Sequence, residues 1–351
     1  MTRSLILVLL TVLPLSLLAQ LGGKSTYQFL TLPTSARSAS LGGYAISQRD
    51  GDINLVADNP ALLDSRMANH AALSYINYIS DINFGYATYA REVGNTGVWS
   101  GGLQFINYGE FTEADFTGQQ IGTFSAGEYA LNTTYSRALD SLFQVGGSFK
   151  VIYSSFYGLQ SMGLAVDMGA TYQSKNKRFT AAIVAKNFGA QVITYRKGNR
   201  EPLPAEMQIG ISKRVNHAPF RISLLYRHLQ QWDLDYESPQ DLLEQENSQT
   251  STGIESEENF FTFDKFMRHM VMGVEFLPSK NFNIRLAYNY QRRQELKLNQ
   301  RTGITGLSFG LGLRVNKFHI SYGLASYHLA GISNHITFST NLSDWSSKSS
   351  G

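Results

Sequence analysis

Between His70 and Leu342 the sequence breaks into about fourteen short segments in which apolar residues alternate one by one with polar or small ones. In Phe282-Asn-Ile-Arg-Leu-Ala-Tyr-Asn-Tyr290, Phe, Ile, Leu and Tyr share one parity, while Asn, Arg and Ala share the other. Phe318-His-Ile-Ser-Tyr-Gly-Leu324 and Leu307-Ser-Phe-Gly-Leu-Gly-Leu-Arg-Val315 repeat the pattern. Strand side chains flip at every residue, so each segment presents one apolar face and one polar or small face. Repeated this often, the pattern predicts an all-β fold: a transmembrane antiparallel β-barrel, apolar toward lipid and polar inside. Most segments are near the roughly 9–11 residues that a tilted strand needs to cross a bilayer. The competing reading is a soluble periplasmic β-sandwich or propeller, and no blade-length repeat supports a propeller.

The connectors alternate in length. Gly94-Asn95, Leu139-Asp140-Ser141, Ser174–Arg178, Asn216–Pro219, Pro278–Asn281 and Asn316-Lys317 are brief and turn-rich. The connectors Tyr108–Gly122, Ser154–Gln160, Phe188–Ala205, Leu229–Phe266, Arg292–Thr305 and Tyr327–Ser333 are longer, and only Ser80-Asp81 breaks the alternation. Short periplasmic turns and long extracellular loops are the asymmetry of bacterial outer-membrane barrels. An even strand number places both chain ends on the periplasmic side.

The first residues carry one base, Arg3, then an apolar run from Leu5 to Leu18 that ends at the small Ala19. The run is short for a transmembrane helix, which needs roughly 20 residues, and reads as a secretory signal over residues 1–19. An uncleaved anchor helix is the alternative. Charged residues are 16% of the chain, against about 25% in a soluble globule, while Phe (21), Tyr (19) and Gly (31) are abundant. No cysteine is present, which excludes disulfides, thiolate metal sites and a lipoprotein anchor. A net charge of +3 implies no nucleic-acid partner.

Residues 20–69 do not alternate. They hold Gly42-Gly43, Pro33, Pro60 and a run of small residues, Ser35-Ala-Arg-Ser-Ala-Ser40. The segment is too apolar for a disordered tail and too long for a spacer, so the expectation is a plug inside the barrel or across its periplasmic mouth. Glycines at lumen parity (Gly310, Gly312, Gly323) leave room for packed backbone. The expected organisation is signal 1–19, plug 20–69, barrel 70–342 with a long outer loop at 229–266, and a tail at 343–351.

The small-residue run, followed by Asp52-Ile-Asn-Leu-Val-Ala-Asp-Asn-Pro-Ala-Leu62, resembles the amino-terminal region of FadL-type outer-membrane proteins. In that family an Asn-Pro-Ala tripeptide, here Asn59-Pro60-Ala61, closes a hatch segment before a fourteen-stranded barrel. A wider resemblance is to the PorV/PorQ branch of that fold. It rests on Gly22–Arg37, Ile106–Asp115, Gly198–Pro204 and His217–Arg221. The resemblance implies an outer-membrane anchor and docking component of type IX secretion. It further implies a PorZ-like surface partner, beside PorU- and PorV-like components that attach secreted proteins to the cell surface. The residues themselves leave a second reading open, a FadL-like channel for hydrophobic small molecules, because fold alone does not choose between them. Visible lumen positions are mostly Asn, Ser, Arg, Gln and Gly, which argues against a continuous apolar path.

Partner contacts are expected on the outer loops. The loop 229–266 combines acids (Asp233, Asp235, Glu237, Glu255, Glu257, Glu258) with aromatics (Trp232, Tyr236, Phe260, Phe261). It reads as a docking arm or as a solvated loop. Its carboxylates lack the ligand spacing of a Ca²⁺ loop. Basic groups lie on two further loops: Arg196, Lys197 and Arg200 on one, Arg292 and Arg293 on the other. These bases are expected to pair with the acidic loop or to meet lipopolysaccharide phosphates. Gly306-Leu-Ser-Phe-Gly310 matches a hydrolase motif, but it lies within a strand rather than on the sharp strand-to-helix turn that the chemistry needs. No cofactor, metal or enzyme activity is implied; a barrel-rim lipid hydrolase would need a converging Ser/His/acid set.

Overall fold

The computed structural model describes residues 25–79, 81–94, 97–234, 258–296, 304–328 and 331–346. Fourteen strands run in chain order: β1 His70–Ile79, β2 Ile82–Val93, β3 Gly97–Ala114, β4 Gln120–Ala138, β5 Phe143–Phe156, β6 Leu159–Gln173 and β7 Phe179–Ile193. They continue as β8 Glu206–Arg214, β9 Phe220–Tyr226, β10 Met270–Phe276, β11 Phe282–Asn289, β12 Leu307–Val315, β13 Phe318–His328 and β14 Gly331–Asn341. Each pairs antiparallel with its chain neighbours, and β1 pairs with β14 from His70↔Asn341 to Asn77↔Asn334, closing a barrel. Closure leaves no unpaired sheet edge, the condition for strands to cross hydrocarbon.

The alternation sets which face is which. On β1, Leu73 is 56% exposed on the outside while Ile76 is 1% exposed on the inside. Leu103, Phe149, Ile222, Leu286, Phe309 and Phe338 continue the exposed outer face around the barrel. A closed barrel with this apolar outer face is a transmembrane β-barrel.

Three connectors expected to be loops are largely strand. Residues 108–122 fall mostly in β3 and β4, which stay paired from Glu110↔Ser125 to Ala114↔Gln120. Likewise β5 and β6 pair as far as Phe156↔Leu159, and β13 and β14 as far as His328↔Gly331. Beyond the lipid boundary the hydrophobic alternation lapses, yet the backbone ladder continues, so hydropathy ends a strand too early. The loop expected over 229–266 also contains structure: α2 spans Glu258–Arg268 and α3 spans Tyr290–Glu295 in the next connector.

The amino-terminal segment lies within the barrel. A short helix, α1 (Ala36–Ser40), starts where the Ser35 hydroxyl accepts from Ser38 N at 3.1 Å, an N-cap. Its small side chains bring backbone close to the wall: a Cβ placed on Gly323 would lie 2.5 Å from Ala36 O. At Asn59-Pro60-Ala61 the Asn59 Oδ1 accepts from Ala61 N (2.9 Å), its Nδ2 donates to Ile46 O (2.8 Å), and proline opens a helical turn. That turn sits against β5, where a Cβ on Gly146 would meet Pro60 O at 2.5 Å.

Every strand touches the segment. Ala72, Ala90 and Val98 of β1–β3 cluster with Ile53, Val56, Leu63 and Met67. The 60–62 turn meets β4, β5 and β6. Ala182 and Val184 of β7 pack on Ile46, and Ser212 of β8 donates to Ser47 O at 2.7 Å. Arg221 of β9 and Glu275 of β10 bind Asp50 and Arg37, as set out below. Asn289 of β11 donates to Gly42 O (3.3 Å), Gly310 of β12 faces Ser40, Gly323 of β13 faces Ala36, and Ala36 N donates to Thr337 of β14 (2.9 Å).

The described chain begins at the long-connector end of the barrel, where Thr26 N donates to Pro202 O at 3.0 Å. It ends at the short-turn end, where Lys317 of the β12–β13 turn contacts Asp344 and Trp345. Between these, the described segment runs the length of the lumen before β1 starts at the short-turn end.

Candidate functional site

Inward positions of β1–β6 form an apolar column that the sequence reading missed. Ile76, Phe84 and Ile106 stand in direct register across β1, β2 and β3, and Ala130, Ile152 and Ala165 continue the cluster on β4–β6. From the lumen side Tyr27, Phe29 and Leu30 of the segment pack onto it, and Leu203 of the β7–β8 connector covers it. Gln104 Nε2 donates to Phe29 O at 2.9 Å, and Tyr27 hydroxyl is hydrogen-bonded to Ser161. Toward the long-connector end the column reaches Tyr108, Phe156 and Tyr195, with ring centroids 5.4 and 6.0 Å apart. There a cavity of about 370 Å³ opens, lined by Phe156, Leu159, Tyr195, Arg196, Asn199 and Glu201. A buried Glu128 accepts from the Tyr108 hydroxyl at 2.6 Å and places one polar group beside the apolar wall. Phe156, Leu159 and Tyr195 of the cavity suit nonpolar groups, and Arg196, Asn199 and Glu201 make the other half of its lining polar and can orient a ligand.

Alternation hid this column because several of these strands are apolar on both faces: Phe105-Ile106 and Val151-Ile152-Tyr153 each set an outward beside an inward apolar residue. Around the column the lumen is polar as expected, with Gln104, Asn132, Lys150 and Asp167 buried on β3–β6.

A second feature is a buried ion cluster near the short-turn end. Arg37 of α1 binds Asp50 (2.7 Å), Asp52 (3.0 Å) and Glu275 of β10 (2.9 Å). Arg221 of β9 binds the same Asp50 (2.7 Å) and Glu275 (2.8 Å). The network fastens the segment to the wall. Burial is the largest single influence and pushes the Asp50 and Asp52 carboxyls up, but Arg37, together with Arg221 at Asp50 and with His319 at Asp52, holds both below the usual carboxylate range. Asp58 is the opposite case: burial raises it, and Lys186 at 3.8 Å only partly offsets this.

The outer-loop candidates are partly brought together. Trp232 is 53% exposed and stacks on His269 at 5.7 Å, while Asp233 pairs with Lys265 at 2.9 Å. His269 is fixed between Arg227 O (2.7 Å) and Trp232 O (3.2 Å). Asp264 of α2 accepts from Tyr290 of α3 at 2.5 Å, so the acidic and basic loops are packed together as helices. Arg292 N is capped by Asn289 Oδ1, and Arg293 donates to Thr305 at 3.1 Å. Arg196, Lys197 and Arg200 are exposed on the β7–β8 connector. Asp235, Tyr236, Glu237, Glu255 and Glu257 lie outside the described residues, as do the side chains of Glu258, Phe260 and Phe261. Among the described residues no group of His and carboxylate side chains has the arrangement of a metal site. Ser308 is buried on β12, within a strand; Ser333 and His335 are paired at 3.0 Å but lie inside the lumen rather than at the rim.

No family model and no curated protein matches the sequence. Solved structures do. A TodX monoaromatic hydrocarbon channel carrying a deltaS2 mutation superposes with TM-score 0.53 at 11% identity, over 89% of this chain and 99% of that one. The deltaS2S3 mutant of TodX gives TM-score 0.51 at 10% identity, over 88% and 98%. A Pseudomonas aeruginosa FadL homologue aligns at 9% identity and TM-score 0.45, over 87% and 97%, too loosely to carry an argument. At such identities the likeness concerns architecture alone: a closed fourteen-stranded antiparallel barrel, as in these channels.

Proposed function

We propose that the protein binds hydrophobic small molecules at its outer mouth and conducts them into the lumen, with the amino-terminal segment as the hatch. The observation that carries this is the apolar column, continuous from the cavity at Phe156 and Tyr195 to Tyr27, Phe29 and Leu30 of the segment. The fold is shared with channels for monoaromatic hydrocarbons, which supports the same class of ligand. On this reading the long connectors are extracellular, and a ligand entering there meets apolar side chains before it meets the hatch.

The test is fluorescence titration of the purified barrel in mild detergent with a fluorescent fatty-acid analogue, displaced by toluene. Saturable binding is expected, weakened at least tenfold by Ile152→Glu, which puts a charge in the column. No saturable binding, or binding indifferent to Ile152→Glu in a folded barrel, overturns the proposal.

A second reading, an anchor for a PorZ-like surface protein in type IX secretion, rests on the sequence resemblance and on one structural observation. The β3–β4 hairpin projects beyond the lipid-facing band and carries Phe111, Ile121 and Phe116, the last 102% exposed. Affinity purification with and without residues 110–124 tests it. Co-purification of a surface protein that needs the hairpin supports the anchor; an intact barrel recovered alone counts against it.

A further inference from the structure

The short-turn end of the lumen holds a cavity of about 630 Å³ between the segment and β10–β14, remote from the apolar column. Its charge is lopsided. Asp50 and Asp52 on its wall are already taken up by Arg37 and Arg221. With Glu275 the buried cluster holds three carboxylates against Arg37, Arg221 and, at 3.6 Å from Glu275, Arg285. Beyond it the lining includes the cations Arg214, Lys280, Arg314 and Lys317, against Asp344. Lys317 donates to the Asp344 backbone carbonyl at 2.5 Å rather than to its carboxylate.

Arg285 is the decisive group. It projects inward from β11, is 1% exposed, and is the most deeply buried of the cations that line the cavity. Among the described residues its Nε and Nη1 have no hydrogen-bond partner. Glu275 approaches Nε only to 3.6 Å, because its two oxygens are engaged by Arg37 and Arg221. A buried guanidinium left with unmade hydrogen bonds is costly unless something supplies acceptors. The planar fork of an arginine matches a phosphate oxyanion in two-point geometry. Gly312 stands against it, where a Cβ would fall 2.8 Å from Arg285 Nη2 and 2.5 Å from Asn283 Oδ1, so only a glycine lets both side chains lie against the wall at this point.

We propose that this cavity is a binding site for a phosphate-type oxyanion, held by the Arg285 guanidinium and drawn in by Arg214 and Arg314 at its rim. The volume exceeds that of a bare phosphate and admits a phosphate ester. Two sources share the chemistry: a free phosphate ester in the surrounding solution, and the headgroup of a phospholipid in the leaflet around this mouth. The proposal does not depend on the hydrophobic-ligand reading, which concerns the other end of the barrel.

The experiment uses the full chain in zwitterionic detergent, titrated with inorganic phosphate and with glycerol phosphate by isothermal calorimetry. In parallel, phospholipid retained after reconstitution and re-extraction is measured by mass spectrometry. Saturable phosphate binding, weakened at least tenfold in Arg285→Met, supports a site for free esters. Retention of phospholipid by the wild type, lost in Arg285→Met, supports the headgroup. If Arg285→Met does not fold, Arg314→Gln at the exposed rim is expected to weaken the same signal several-fold. Neither phosphate binding nor phospholipid retention in the wild type, or binding unchanged in both variants, overturns the proposal.

Discussion

Replacing Arg37 by Met should release the amino-terminal segment from the wall. Arg37 is 6% exposed and makes ionic contacts to Asp50, Asp52 and Glu275 at 2.7–3.0 Å. Truncating one side of a buried pair costs about 3–5 kcal/mol, because the remaining charge is left in a poor solvent. Glu275 and Asp50 keep Arg221, so the loss falls chiefly on Asp52 and the lower figure applies, about 3 kcal/mol. At about 1.4 kcal/mol per tenfold change, the open population rises by roughly 10². The chain has no cysteine, so Ser40→Cys on α1, fully buried against Gly310, is a unique reporter. Its maleimide labelling rate in Arg37→Met should exceed the parent rate by about two orders of magnitude, with the barrel still resistant to denaturation in cold detergent. Arg37→Lys keeps the charge without the fork and should fall between. An acceleration below about threefold would refute the claim that this cluster holds the segment.

Other outcomes follow from the same contacts. Gly323→Val forces a side chain toward Ala36 O and should destabilise docking by about 1–3 kcal/mol, read by the same labelling. Gly101→Val meets open space and should stay within about 0.5 kcal/mol of the parent. Segment protection by hydrogen exchange, corrected for intrinsic rates, should peak in acid solution. The lowered Asp50 and Asp52 contribute stability above the ordinary 3.8 and lose it as pH falls through their folded values. The raised Asp58 contributes below 3.8 and loses it as pH rises through its folded value. A flat profile from strong acid to neutrality would contradict these assignments. Phe29→Ala removes a ring 1% exposed in the column and should cost about 3–5 kcal/mol in thermal unfolding of the segment.

Much of the barrel is legible in the sequence because lipid enforces a strict parity rule. His70–Ile79, from the start of the alternating region to the Ser80-Asp81 connector, has the same bounds in the pattern and in the structure. The rule fails where lipid stops. Glu110 to Ala114 carry no alternation, yet they stay in the ladder with β4, because pairing needs only backbone groups. The site was harder to read. Ile76, Phe84 and Ile106 look like ordinary strand residues until register places them level and facing inward. Arg221, Glu275 and Arg285 did stand out in principle, as charges at inward parity, but their partners Arg37 and Asp50 are remote in sequence. Asn59-Pro60-Ala61 is recognisable locally, since a capping Asn and a proline open the same kind of turn wherever they occur.

The seam between β1 and β14 joins groups far apart in the chain: Ser74 and Thr337, hydrogen-bonded at 2.9 Å, are 263 residues apart. The segment that every strand touches is made before any of them. The last strand to emerge therefore completes a wall around the first part of the chain, and no partial arc of strands offers that part its full set of contacts. Such non-local pairing is slow to form. The segment thus acts as a mandrel for its own enclosure, and a variant that docks it poorly should show its defect first as barrels that close late.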